Sequence, residues 1–121
     1  MKDLNPFDMK ICDNAEVREL LSLFYRLSVA DIDVFFAVCP LRAVRIEEIS
    51  DKMGKDKSTV QRCINRLYSA GLITRESRCC TEGKKGRYFV YSVVSKDVLR
   101  DMLSLVLNKW YKNRQDVIGS L

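Results

Sequence analysis

Histidine is absent from this chain, and that absence removes more chemistry than any residue present supplies. Without an imidazole there is no Ser-His or Cys-His nucleophile arrangement, no usual general base, and no use of the commonest metal ligand. The expectation is a protein that is not an enzyme. The five cysteines are odd in number, and none stand in Cys-x-x-Cys spacing, so neither a secreted disulfide framework nor a zinc ribbon is indicated. Reduced thiols are expected, with no metal and no cofactor. Long apolar runs are lacking too. The longest outside a plausible loop, Val34 to Cys39, covers six residues, far short of the ~20 that a membrane-crossing helix needs. The opening MKDLNPFDMKIC has no apolar stretch of the signal-peptide kind. A cytoplasmic location with no membrane partner is expected, and no internal repeat or low-complexity segment is evident.

What the chain does contain is an ordinary core-forming composition and an uneven charge. Its 121 residues are 47% hydrophobic, in the range of one domain covering 1–121. The net charge of +5 is local in origin: residues 52–90 hold ten Lys or Arg against three acids, while the rest of the chain is slightly acidic. A basic stretch on an otherwise neutral body is what a polyanion-binding surface requires, although a solvated basic face has the same composition.

Hydrophobic spacing divides the chain into helices and one hairpin. Val17, Leu20, Leu21, Phe24 and Leu27 form an apolar stripe over 15–27. Ser28 followed by Asp31 has the form of a capping box and starts a second helix that runs to about Cys39, where Pro40 stops it. A short extended piece at Val44 leads into a third helix, Ile46 to Met53, with Arg45 where a capping residue is expected and Gly54 suited to the left-handed closing position. The fourth helix is expected from Ser58 to Ala70, with Ser58 and Gln61 as a second capping box and Gly71-Leu72 as a Schellman stop. Val60, Ile64 and Leu67 are its buried stripe, with Cys63 beside it. On its polar side Arg62 and Arg66 stand one turn apart with no acid in the helix to pair with them, so a partner outside the helix is implied. Leu72 to Arg78 and Arg87 to Val94 are rich in β-branched and aromatic residues and flank a glycine-rich basic connection, the pattern of a β-hairpin. A last helix over 96–118 has more apolar positions than one face can hold.

The expected fold is therefore mainly α with a small β-hairpin: a winged helix-turn-helix over 30–95 with N- and C-terminal flanking helices. The run ISDKMGKDKSTVQRCINRLYSAGLITRES, followed by GKKGRYFVYSVVS, resembles the winged-helix domain of the MarR and TrmB types of transcriptional regulator, the GRYFVYSV being closer to TrmB. Ser50 departs from the alanine common there. The resemblance implies binding of double-stranded DNA as a homodimer, with the fourth helix in the major groove and the wing along the backbone or minor groove.

Residue chemistry assigns parts within that frame. Ser58 and Thr59 are candidates for phosphate or base contact at the helix start, and Gln61, Arg62, Asn65 and Arg66 for the groove, Arg62 being best suited to guanine O6 and N7. Lys55 and Lys57 suit phosphate, as do Arg75, Arg78, Lys84, Lys85 and Arg87 in the wing. Cys79 and Cys80, adjacent before the wing tip, raise a redox reading, whereas Cys39 and Cys63 look like core residues. Val17, Leu20, Leu21 and Phe24, with Leu99, Met102, Leu103, Val106 and Trp110, are candidates for dimerisation. The expected function is a sequence-specific DNA-binding regulator of transcription; a winged helix serving as a protein-interaction module is the alternative.

Overall fold

A computed structural model of the chain describes residues 11–80 and 86–121. The described elements run α1 (Ala15–Tyr25), α2 (Val29–Val38), α3 (Ile46–Met53), α4 (Lys57–Ser69), β1 (Ile73–Cys79), β2 (Arg87–Val93) and α5 (Lys96–Gly119). Among the described residues no helix is long and apolar enough to cross a membrane. The core is assembled from all of these elements. Leu21, Val34, Phe35, Val38, Ile49, Val60, Ile64, Leu67 and Leu72 are wholly buried in it, and α2 supplies its centre.

Local chemistry explains most boundaries. Asn14 caps α1 by accepting from the Val17 N–H at 2.8 Å. The helix stops at Tyr25 because Arg26 turns left-handed (φ 55°), which still lets Leu27 fold back into the core. Ser28 and Asp31 form the reciprocal capping box of α2: the Ser28 hydroxyl accepts from the Asp31 N–H at 3.1 Å, and the Asp31 carboxylate accepts from the Ser28 N–H at 3.0 Å. At α3, Arg45 offers no cap, but Glu48 reaches back to its N–H at 2.9 Å. Gly54 closes that helix at φ 66°. The Ser50 hydroxyl donates to the Lys55 carbonyl, tying α3 to the turn that follows it.

The start of α4 differs from the expectation. Asp56, not Ser58, is its N-cap, accepting from the Thr59 N–H, and Gln61 donates to Asn65 at 2.9 Å instead of returning to the helix start. Two cap-forming side chains compete two residues apart, and the carboxylate wins because it takes the Ser58 and Thr59 hydroxyls as well as the N–H. The end of α4 is a Schellman motif: Leu72 N–H to Leu67 O and Gly71 N–H to Tyr68 O, both 3.0 Å, with Gly71 at φ 82°.

β1 and β2 pair antiparallel from Ile73↔Val93 to Cys79↔Arg87. Val44 bridges the other edge of β2, exchanging both backbone bonds with Tyr91 at 2.9 and 2.7 Å. The base of the hairpin is thereby sewn to the segment that enters α3.

One ion pair fixes α4 on the body. Asp31 in α2 has 1% of its side chain exposed, and the Arg66 Nε donates to both of its oxygens at 2.9 and 3.0 Å. Burial by itself pushes the Asp31 carboxyl up, yet its pKa ends below the ordinary carboxylate value because the Ser28 N–H and the Arg66 guanidinium bond the charged form. A depressed carboxyl contributes stability that is present above its unfolded pKa and lost as pH falls through the folded one. Asp31→Asn is expected to destabilise the chain by about 1.5–3 kcal/mol at pH 7, the range for a hydrogen bond to a charged group. The difference from wild type should shrink below about pH 4, near the carboxylate reference value. Urea unfolding at pH 7 and pH 3 measures both; a deficit of equal size at the two pH values would contradict this assignment.

Candidate nucleic-acid interface

The outward face of α4 follows from its buried one. Val60, Cys63, Ile64 and Leu67 point into the core, so at 100° per residue Ser58, Arg62, Asn65 and Ser69 point away from it. All four are exposed. Gln61 and Tyr68 lie on the flank towards the hairpin, and Thr59 and Arg66 on the flank towards α2. No carboxylate stands on the outward face. A short helix that presents an arginine, an amide and two hydroxyls without an acid can meet both base edges and phosphates.

The helix start is more occupied than its composition suggests. The hydroxyls of Ser58 and Thr59 are engaged by Asp56, whose carboxyl they hold well below the usual range. The first-turn N–H groups therefore face a resident anion, which corrects the expectation of a free helix terminus for phosphate. Lys55 and Lys57 flank that carboxylate. Arg62 reaches back to within 3.4 Å of the Thr59 hydroxyl, and the Gln61 amide is tied to Asn65.

Arg66 is also corrected. It is not an unpaired cation: its Nε is committed to Asp31, although 53% of its side chain remains exposed. The partner implied by the sequence belongs to the same chain. Lys52, counted among the local basic residues, donates to the Ala37 carbonyl at the end of α2 instead of joining the α4 face.

In the hairpin, Arg75 lies between the rings of Tyr68 and Phe89, Arg78 pairs with Glu76 at 3.3 Å, and Arg87 donates to the Ser77 hydroxyl at 2.8 Å and to the Cys79 sulfur at 3.2 Å. Lys84 and Lys85 fall outside the described residues. Between the hairpin and the start of α4 lies a cleft of about 370 Å³ whose lining includes Arg45, Glu47, Lys57, Gln61, Tyr88 and Phe89. Tyr68 and Phe89 were not singled out by the sequence, and Arg45 only as a poor cap. The alternation of β2, which puts Phe89 on the same face as Tyr91, is the signal that could have found Phe89.

The remaining candidates divide by burial. Cys79 is exposed and Cys80 half-buried, whereas Cys63 is buried and the half-buried Cys39 thiol is pushed up to about 12, first by burial. Among the described residues no three His, Cys, Asp or Glu side chains gather as a metal would need. Of the dimerisation candidates, Leu21 and Leu99 are spent inside the subunit's own core, because α1 and α5 each turn one stripe inward. Val17, Met102 and Leu103 are half-buried against that core, and Leu20 and Val106 are half-buried. Phe24 and Trp110 meet at 6.5 Å, leaving Trp110 39% exposed. Every residue from Leu107 to Leu121 is exposed, Tyr111, Val117 and Ile118 among them.

Similar proteins share the fold. The chain is 24% identical to protein MJ1503 of Methanocaldococcus jannaschii, across 91% of this chain and 82% of that one. Its fold matches a structure described as "Possible transcriptional regulator from Methanosarcina mazei Go1", with a TM-score of 0.76, 21% identity, and 90% and 94% of the two chains covered. It also matches the crystal structure of MarR, with a TM-score of 0.51, 18% identity, and 79% and 70% covered. Residues 21–97 match the family described as "Sugar-specific transcriptional regulator TrmB", a span from the core-facing end of α1, through α4 and the hairpin, to the start of α5: the chain belongs to the TrmB family of transcriptional regulators.

Proposed function

We propose that the protein is a homodimeric, sequence-specific regulator of transcription that binds double-stranded DNA and catalyses no reaction. On this reading α4 enters the major groove and the hairpin lies along the backbone or the neighbouring minor groove. The observation that carries it is the outward face of α4, where Arg62, Asn65 and Ser69 stand exposed with no acid within the helix, beside a basic hairpin. Arg62 reads guanine, Gln61 and Asn65 present a coupled amide pair to neighbouring base edges, and Lys55 and Lys57 hold phosphates. Arg66 stands on the flank, with its Nη donors directed to the backbone more readily than to a base. Arg78 and Arg87 add charge along the wing.

The two-fold partner rests on α5. Leu99, Leu103, Val106, Trp110 and Val117 recur at intervals of three and four, or seven, along one side, which is the spacing of a helix–helix seam. The inner half of that seam is covered by α1, and the outer half is bare. Exposed apolar surface of this extent marks an interface, and a two-fold protein matches a palindromic site. Light scattering at micromolar concentration is expected to give twice the chain mass, with Val117→Asp, which alters only an exposed position, shifting it to monomer without loss of helicity. A wild-type monomer would refute the dimer.

Duplex fragments selected from a random pool supply the ligand for the central test. Arg62→Ala is expected to lose about 1–3 kcal/mol on the selected site and to relax preference at one base pair, while Lys57→Ala weakens selected and random duplexes alike and lowers the salt slope by about 1. Equal losses for Arg62→Ala on both kinds of duplex would remove its base-reading role.

A further inference from the structure

Paired residues of an antiparallel hairpin share a face, so Ile73, Arg75 and Ser77 lie on one side with Val93, Tyr91 and Phe89. That side faces α4. Its root is buried through Ile73 and Tyr91, but the outer rungs of β1 are exposed. A two-stranded ribbon beyond its root is marginal by itself. Side-chain contacts must hold its angle.

The Arg75 guanidinium carbon sits 4.4 Å from the centre of the Tyr68 ring in α4 and 4.4 Å from the centre of the Phe89 ring in β2. Phe89 in turn lies 6.4 Å from buried Tyr91, which roots the stack in the core. On the opposite face of the hairpin, Arg45 at the start of α3 covers Tyr88 at 4.4 Å. Tyr68 and Phe89 are 41% and 42% exposed, so each ring has one face on Arg75 and much of the remainder in water. A planar guanidinium can stack on two rings at once and keep its edge donors free; an ammonium cannot.

We propose that the Tyr68–Arg75–Phe89 stack is a brace that sets the gap between the recognition helix and the wing, and that Arg75 is a positioning residue for DNA binding. It acts through two-sided packing, not as a point charge on phosphate. The brace is a property of the free protein; its consequence for DNA rests on the function proposed above. Helix and wing must engage the duplex together, and holding their spacing beforehand removes an ordering cost from binding.

The test has two arms, each run on the full chain as wild type, Arg75→Lys, Arg75→Gln and Phe89→Leu, with helicity checked by circular dichroism. In free protein, exchange of the cross-strand amides of the outer Arg78–Tyr88 rung is expected to speed up about tenfold in all three variants while those of the Thr74–Ser92 rung are unchanged, because local opening reports local contacts. In salt titrations on a selected duplex, Phe89→Leu, which has no charge to lose, is expected to weaken binding about tenfold and flatten the slope by about one phosphate, ~0.9. Arg75→Lys should resemble it, and Phe89→Leu combined with Arg75→Gln should be no weaker than either alone. Unchanged exchange at the outer rung overturns the brace. Arg75→Lys binding like wild type while Arg75→Gln loses one phosphate overturns the positioning role and makes Arg75 a direct contact. A wild type that binds no duplex at low salt overturns the DNA reading and the positioning role with it, and the exchange arm still decides the brace.

Discussion

The buried carboxylate of Asp31 is the group the rest of the molecule is arranged around. An ionised carboxyl cut off from water is costly unless every side of it is met by a donor or a cation. Here the Ser28 N–H meets one oxygen and the Arg66 Nε meets both. Those two donors belong to different elements, the first residue before α2 and the third turn of α4. Satisfying one charge therefore fixes the entry to the central helix and the rotation of α4 about its own axis. Apolar burial of Val60, Ile64 and Leu67 would tolerate small rotations of α4. A bonded carboxylate tolerates them far less, because hydrogen bonds fall off steeply with angle. The same group raises the pKa of the Cys63 thiol, after burial, which keeps that sulfur protonated and unreactive inside the core.

Positive charge in residues 52–90 is not one population. Arg66 is cancelled locally by Asp31 and Arg78 by Glu76, so both contribute little to the distant field. Arg75 sits between two neutral rings that hold it in place without a described acid beside it. Arg62, Lys55 and Lys57 make no ion pair with a described residue. Counting cations therefore overstates the free positive charge, and the field at this face comes chiefly from the arginines and lysines whose neighbours are uncharged.

How much of this was legible in the sequence depended on how far apart the interacting residues stand. The Ser28–Asp31 box, the left-handed Gly54 and the Gly71–Leu72 stop are signals contained within a few residues, and each is realised. The start of α4 was misplaced because Asp56 and Ser58 are both good caps and propensity alone cannot rank them; the hydroxyls of Ser58 and Thr59, turned back on Asp56, decide it. Asp31 and Arg66 are 35 residues apart, and the aromatic partners of Arg75 come from two other elements. No period or motif joins such residues. The sequence could mark Arg66 as lacking a partner in its own helix and could go no further. The outward face of α4 was largely legible, since the 3.6-residue period that buries Val60 and Ile64 also exposes Arg62 and Asn65.

The two halves of α5 have different physical tasks, and their junction links the proposed dimer to the proposed DNA face. From Leu99 to Val106 the helix is anchored by side chains wholly or partly buried, some of them in the cluster that includes the buried stripe of α4. Beyond Trp110 it leaves the body, with Val117, Ile118 and Leu121 in water. A helix is stiff over this length, about 36 Å for its 24 residues at 1.5 Å each. If the outer half pairs with a second copy, the partner's position is carried back through an unbroken rod to the core on which α4 is seated. Two recognition helices would then be held at one separation without any direct contact between them. A palindrome with half-sites one helical turn apart demands that property of a protein. The absence of proline or glycine from Lys96 to Ile118 keeps the rod free of the usual causes of a kink.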